Sequence, residues 1–407
     1  MARTLPASAP NLALRVDDRV TLEYDLTVVT PMVGGSAIAK EATTQIRPTE
    51  IMGNLRHWWR ATNAGCFDLT ELVRQENDLF GSAVHPGNCQ ISVTTVKPGS
   101  VRTDIKNNSS MVYALWPLRN SKDDTSSRTE LTNQVTLGTQ FKLRLSFKQE
   151  LEQTILPAIV LAMQAFITYG GLGGRTRRGC GSLQLTQLTT QRPGKELRVD
   201  NYTQPIRKIG LPTAPAKRVN LMTGLPQHVF ILGQAMRDAV QAWQKSLDAY
   251  QQFRQGTGRG RSPYPEADSV RHLVKHSRTP EVYGFPRADL GLPIVMQFIN
   301  EPDLADVTIQ GANEGQHRFA SPIITKALQW DNGFIPMVAV LDAPHAWDKD
   351  VELTWKNNVK PTCRDDIMLT EQDRKTIEPL NGDPIRVAFE KYLKREGWRE
   401  VETKVQA

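Results

Sequence analysis

The run Tyr169-Gly170-Gly171-Leu172-Gly173-Gly174-Arg175-Thr176-Arg177-Arg178-Gly179-Cys180-Gly181-Ser182-Leu183 constrains the fold more than any other part of the chain. Before it, Leu151, Ile155, Ile159, Leu161, Ala162, Ala165, Phe166 and Tyr169 give residues 150–169 the pattern of a buried helix, with Pro157 near its first turns. After it, Leu183, Leu185 and Leu188 sit among polar residues in the alternation of a half-buried strand. The loop therefore closes a helix and opens a strand. Dinucleotide folds and P-loops run in the opposite order, and no Gly-Lys-Ser/Thr ending is present, so both are excluded. Glycines with uncovered N–H groups, beside arginines that cannot lose their charge, point to a phosphate backbone. The plainer alternative is a glycine-rich helix C-cap followed by a solvated turn.

The elements around this loop supply a topology. Residues 19–29 alternate cleanly and predict a first strand. Thr49 is placed to cap a helix running to Thr62, with Pro48 before it and Glu50 in its first turn. Residues 90–96 and 139–147 predict two more strands. With the buried helix and the strand after the loop, the order is β-α-β-β-α-β, the ferredoxin-like pattern.

At 407 residues the chain exceeds what one core organises, so two domains are expected. The first is residues 1–190, with a polar insertion at 97–137. A proline-rich basic linker follows at 191–225. The second, 226–407, is a degenerate ferredoxin-like domain with a helical C-terminal tail. Within it, residues 227–254 predict a long helix and 266–276 a short one. Residues 292–299 and 335–341 predict strands, and 375–400 is helical except at 382–384. The fold class is thus α+β, with tandem ferredoxin-like (RRM-like) domains.

A formal net charge of +7 favours polyanions without choosing among RNA, DNA and membrane. Four cysteines without a CxxC pair signal neither zinc nor a disulfide framework. Lacking an apolar run of bilayer length or a signal-peptide core in residues 1–10, the chain is expected to be cytoplasmic, with no membrane partner.

Along the first predicted helix, Gly53, Arg56, His57 and Arg60 share a face at spacings of three and four. A glycine inside a helix costs on the order of 1 kcal/mol against alanine, so its use there suits close approach by another backbone. A ribose-phosphate strand over Gly53, held by Arg56 and Arg60, is one reading, and a solvated basic face is the other. Trp58 and Trp59 read as core rather than as base-stacking platforms. In a ferredoxin-like fold, Arg47, Arg56, Arg175, Arg177 and Arg178 would share a surface. His272 and His276 have ligand-like spacing, but the zincin glutamate is missing and Arg271 and Lys275 would repel a cation. No catalytic set, metal site or cofactor site emerges.

These segments also carry a resemblance. Ile46-Arg47-Pro48-Thr49, Ile51, Gly53, Leu55, Arg56 and Trp58-Trp59-Arg60, with Leu79-Phe80-Gly81-Ser82 and the glycine loop 170–183, resemble the RAMP superfamily. The run 261–268 with Gly291-Leu292-Pro293-Ile294-Val295 is similar to the first-numbered subunits of type III-B CRISPR (Cmr) effectors. The resemblance implies a tandem ferredoxin-like subunit near the 3′ end of a CRISPR guide RNA. It also implies contact with guide and target RNA beside other Cmr/RAMP subunits, with target cutting done elsewhere in the complex. It places RNA-binding positions at Arg47, Gly53, Arg56, Arg60, Gly173, Gly174, Arg175, Arg177 and Arg178, then at Arg261, Arg271, Ser321 and Lys326. Two departures stand out: the loop after the first strand has no acidic residue until Glu41, and no motif maps beyond Pro361. The alternatives are a metal-independent endoribonuclease processing CRISPR RNA with His57 as base, and a purely structural connector.

Overall fold

The computed structural model describes residues 18–34, 43–64, 66–102, 111–115, 135–201, 222–256, 262–296, 298, 301, 304, 307–313, 317–356 and 358–401. Among these, the first half contains β1 (Arg19–Val28), β2 (Met32–Val33), α1 (Pro48–Asn63), α2 (Leu69–Phe80), β3 (Gln90–Lys97), β4 (Ser100–Arg102) and α3 (Met111–Leu115). Next come β5 (Val135–Leu137), β6 (Gln140–Lys148), α4 (Glu152–Tyr169), β7 (Leu183–Gln191) and β8 (Arg198–Asn201). Their main sheet runs β3-β6-β1-β7-β8 with antiparallel neighbours. Without β8 it is the ferredoxin-like order, the second strand beside the third, then the first, then the fourth. Strand β1 alternates as its sequence predicts. Val20, Leu22, Tyr24, Leu26 and Val28 are buried, while Glu23 on the opposite face pairs with Lys142 and Arg144, both at 2.7 Å.

The second half contains β9 (Pro226–Ile231), α5 (Ala239–Gln255), α6 (Glu266–Lys275), β10 (Ile294–Met296), β11 (Val307–Gly311), β12 (Ile323–Trp330) and β13 (Gly333–Leu341). It continues with β14 (Val351–Trp355), β15 (Asn358–Thr362), α7 (Arg364–Met368), α8 (Glu371–Thr376), α9 (Ile385–Arg395) and β16 (Arg399–Glu400). Its main sheet is β12-β13-β9-β16, the same second-third-first-fourth order, with α5 and α9 as crossovers. Strands β10, β11, β14 and β15 form a separate small sheet inserted between these elements.

Helix α4 joins the two halves. It is apolar around most of its circumference, with nine buried residues. It packs on β6, β7 and β12, and its side chains share one core with Ile324, Leu328, Met337 and Ala339 of the second sheet. The other face of that sheet, with Phe230, Ile323, Val338 and Val340, packs on Tyr250 and Phe253 of α5 and Phe389 of α9. This two-sided cover explains why every residue of β12 and β13 is buried. Each such large aliphatic or aromatic side chain contributes about 1.5–3 kcal/mol by burial.

Several expectations are corrected. The segment Gln149–Tyr169, 21 residues, is long and apolar enough by length and composition alone to cross a membrane, whereas no run of that length was expected. Its core packing accounts for that apolarity. Helix α1 is not capped by Thr49. Arg47 occupies the N-cap with Pro48 in the first turn, where the missing N–H costs nothing. Residues 227–254 are not one helix but β9, a turn with Gly233 at φ 68°, and α5. The insertion contributes β4, α3 and β5, with β4 and β5 in a small sheet with β2. Arg399–Glu400, expected to be helical, form the strand β16 instead.

Candidate nucleic-acid interface

The glycine loop is a packed knot, not an open cradle. Gly173 N–H donates to Glu50 Oε1 at 2.5 Å, and Gly174 N–H donates to Val33 O at 2.7 Å. Gly170 and Gly181 donate to Phe166 O at 2.9 Å and Pro31 O at 3.0 Å. Four of the N–H groups expected to be uncovered are therefore spent inside the fold. The glycines are needed for closeness instead. A Cβ on Gly179, at φ 76°, would stand 2.5 Å from Thr325 O and from the Trp243 ring. Both contacts belong to the second half of the chain.

The arginines after the loop turn the same way. Arg177 Nη1 donates to Ser321 O at 2.9 Å. Arg178 Nη1 reaches Ser321 Oγ at 3.2 Å and Ile323 O at 3.1 Å. Its Nη2 donates to Tyr250 OH at 3.0 Å, and its guanidinium lies 4.2 Å from the centre of that ring. Trp243 Nε1 returns a bond to Arg178 O at 2.5 Å. Lys326 is fully buried and donates to Ile167 O at 2.6 Å and Gly170 O at 2.5 Å, the end carbonyls of α4. Burial pushes its ammonium down to about 7, a fall opposed by those carbonyls and the negative helix terminus. Arg177, Arg178, Ser321 and Lys326, all expected at RNA, thus fasten one ferredoxin-like unit to the other.

Arg56 and Arg60 are also engaged within the fold. Both bond Glu76 Oε1, at 3.0 and 2.7 Å, and Arg56 donates to Gly81 O as well. Glu76 comes from α2, an element the sequence reading did not identify, started by Asp68 accepting from Glu71 N. A buried carboxylate needs partners, and these two arginines supply them. Trp58 and Trp59 are core, as expected, against Tyr169 and Phe80. His57 is pushed down to about 4 by burial and then by Arg177 and Arg60, so it is neutral and weakly basic near pH 7. Arg271 pairs with Glu301 and Asp268, both at 2.8 Å, and His272 Nδ1 is bonded to Ser277 O at 2.8 Å. Arg261 lies outside the described residues.

Four of the expected positions remain open to a partner. Arg47 and Gly53 are exposed on α1, Gly174 is exposed on the loop, and Arg175 beside it is half-buried. A Cβ on Gly53 would meet nothing within 4 Å, so no packing inside the chain requires glycine there. The Glu50–Gly173 bond and the Val33–Gly174 bridge bring the start of α1 and the loop to one edge. Glu50, hidden in the sequence as a helix-dipole acid, is the residue that joins them.

Residues 25–184 match the model of the RAMP superfamily. Two Pyrococcus furiosus proteins are among the chain's relatives. CRISPR system Cmr subunit Cmr1-1 is 27% identical over 150 residues, 36% of this chain and 42% of that protein. Cmr subunit Cmr1-2 is 24% identical over 185 residues, 40% of this chain and 95% of that protein. The chain thus spans less than half of the first relative's length. Among solved structures, apo Cmr1 from Pyrococcus furiosus aligns over 88% of this chain and 96% of its own, at 13% identity and a TM-score of 0.45. A chain of the type III-B Cmr-beta complex bound to cognate target RNA aligns over 79% and 94%, at 11% identity and a TM-score of 0.44. The ferredoxin-like assignment rests on the two strand orders rather than on these superpositions.

Proposed function

We propose that the chain is a non-catalytic RNA-binding subunit of a type III-B CRISPR ribonucleoprotein, with guide RNA, target RNA and other Cmr/RAMP subunits as its partners. The observation that supports this most is the edge where Glu50 holds Gly173. There the exposed Arg47, at the N-cap of α1, and Gly53 within it flank Glu50, which is tied to the loop carrying Gly174 and Arg175, inside a domain whose relatives are Cmr subunits. A backbone with no side chain at Gly53 and Gly174 admits a sugar-phosphate strand closely, and the flanking guanidiniums complement its charge. Such contacts carry no sequence information, which suits a complex in which base pairing does the reading. The interface is smaller than the sequence suggested, because Arg56, Arg60, Arg177, Arg178, Arg271 and Lys326 already have partners.

The endoribonuclease alternative fares worse. A general base works best with a pKa near the working pH, and His57 sits at about 4. Ultraviolet cross-linking of single-stranded RNA to the full chain tests the proposal. Adducts are expected on residues 46–53 and 173–175, with the RNA left intact. Adducts confined to other surfaces, or cleavage of a repeat RNA without metal, would contradict it.

A further inference from the structure

Beside this edge, four guanidiniums converge where the two halves meet. Arg178 stacks on Tyr250 and bonds its hydroxyl. The Tyr250 ring lies 6.1 Å from that of Tyr113, whose hydroxyl accepts from Arg254 Nη1 at 3.1 Å. Arg287 Nη1 donates to Arg254 O at 3.3 Å, and its guanidinium lies 5.4 Å from the Tyr264 ring centre. Arg175 opens the same short turn as Arg178, whose N–H donates to Arg175 O at 2.8 Å, and the neighbouring charges of Arg178 and Arg254 act on its guanidinium. Among the described residues one carboxylate faces the group, that of Glu266, 3.1 Å from Arg287 Nε.

Among the described residues, four cations therefore meet one anion in a partly desolvated junction. The hydrogen bonding is also incomplete. The Nε atoms of Arg175 and Arg254 are buried without a hydrogen-bond partner, whereas that of Arg287 has only its ion pair with Glu266. Arginine cannot escape by losing its proton, so the unbalanced charge stays. Tyr113 registers it: burial alone would raise its hydroxyl, yet Arg254, Arg178 and Arg287 hold it below the ordinary tyrosine value.

We propose that this cluster is a phosphate site, in which Arg175 and Arg254 present their free N–H groups to one phosphate and Arg178 and Arg287 add charge. Planar forked donors fit a tetrahedral oxyanion in pairs. The site deepens the RNA reading, because Gly174 leads directly from the exposed edge to Arg175. If that reading holds, the phosphate belongs to the RNA backbone or terminus. If it does not, the same chemistry takes free phosphate or a nucleotide.

Calorimetric titration of inorganic phosphate into the full chain at low salt tests the site. Saturable binding is expected, weakened about tenfold or more in Arg175→Asn and in Arg254→Gln. Asparagine tolerates the left-handed backbone at position 175 (φ 62°), which keeps the loop folded. Circular dichroism checks the fold of each variant, and Arg254→Lys, which keeps the charge, is expected to lie between Arg254→Gln and the native chain. The exposed control Arg198→Gln is expected to bind as the native chain does. No saturable binding, or equal binding by the folded Arg175→Asn and Arg254→Gln variants, would overturn the proposal. A competition arm with oligouridylate identifies the source. Displacement of phosphate assigns it to RNA. Phosphate binding without any RNA binding leaves the site standing while the RNA reading falls.

Discussion

Gly53 is where stability and the proposed function pull apart. It lies inside α1 with open space where a side chain would go. Gly53→Ala is expected to raise stability by about 0.5–1 kcal/mol in denaturant unfolding, since alanine is the better helix former. Gly53→Glu should fold as well but bind RNA more weakly. Glu76 behaves in the opposite way. Glu76→Gln leaves Arg56 and Arg60 without their shared carboxylate, and a loss of roughly 2–3 kcal/mol is expected by the same assay, less than for a fully buried pair because both arginines are partly exposed. Lys326 should mark the pH dependence. Its native value of about 7 lies below its ordinary 10.5, so between these the unfolded chain holds a proton the native chain lacks. Stability contributed by this residue therefore rises with pH from about 7 to 10.5. Melting temperatures of the native chain and Lys326→Met, compared across pH 7 to 10, should show that slope only in the former.

At the scale of elements, the 3-10 turn Thr176–Arg178 and its flanking glycines act as the clasp between the halves. Gly179→Ala would force a Cβ against Thr325 O and Trp243 at a left-handed backbone position, and a loss of about 2–3 kcal/mol in thermal or denaturant unfolding is expected. The sequence made β1, β3, β6, β7, α1 and α4 legible, because alternation and helical period are local. Of the positions singled out, Arg47, Gly53 and Gly174 are exposed. The sequence did not reveal which arginines face outward, since Arg178 and Ser321 are 143 positions apart and only tertiary packing brings them together. Strand β12 gave no alternation because both its faces are covered. Helix α2 was missed although Asp68 caps it and Leu69, Leu72, Val73, Leu79 and Phe80 recur at helical spacing; the charged Glu76 interrupts that face. The charge of the glycine loop was read correctly as unusual, but its direction was not.

For the whole molecule, two ferredoxin-like units share one continuous core through α4, with the basic edge beside their junction. In the proposed function, RNA lies over Arg47, Gly53 and Gly174. The most direct measurement is fluorescence anisotropy of labelled single-stranded RNA across a salt series, with the native chain, Arg47→Gln and Gly53→Glu. The native chain should bind with affinity falling steeply as salt rises. Arg47→Gln should flatten the log–log slope by about 0.7, one phosphate contact on a single strand, and Gly53→Glu should weaken binding with its melting temperature preserved. Salt-independent binding, or native affinity in both variants, would contradict the account.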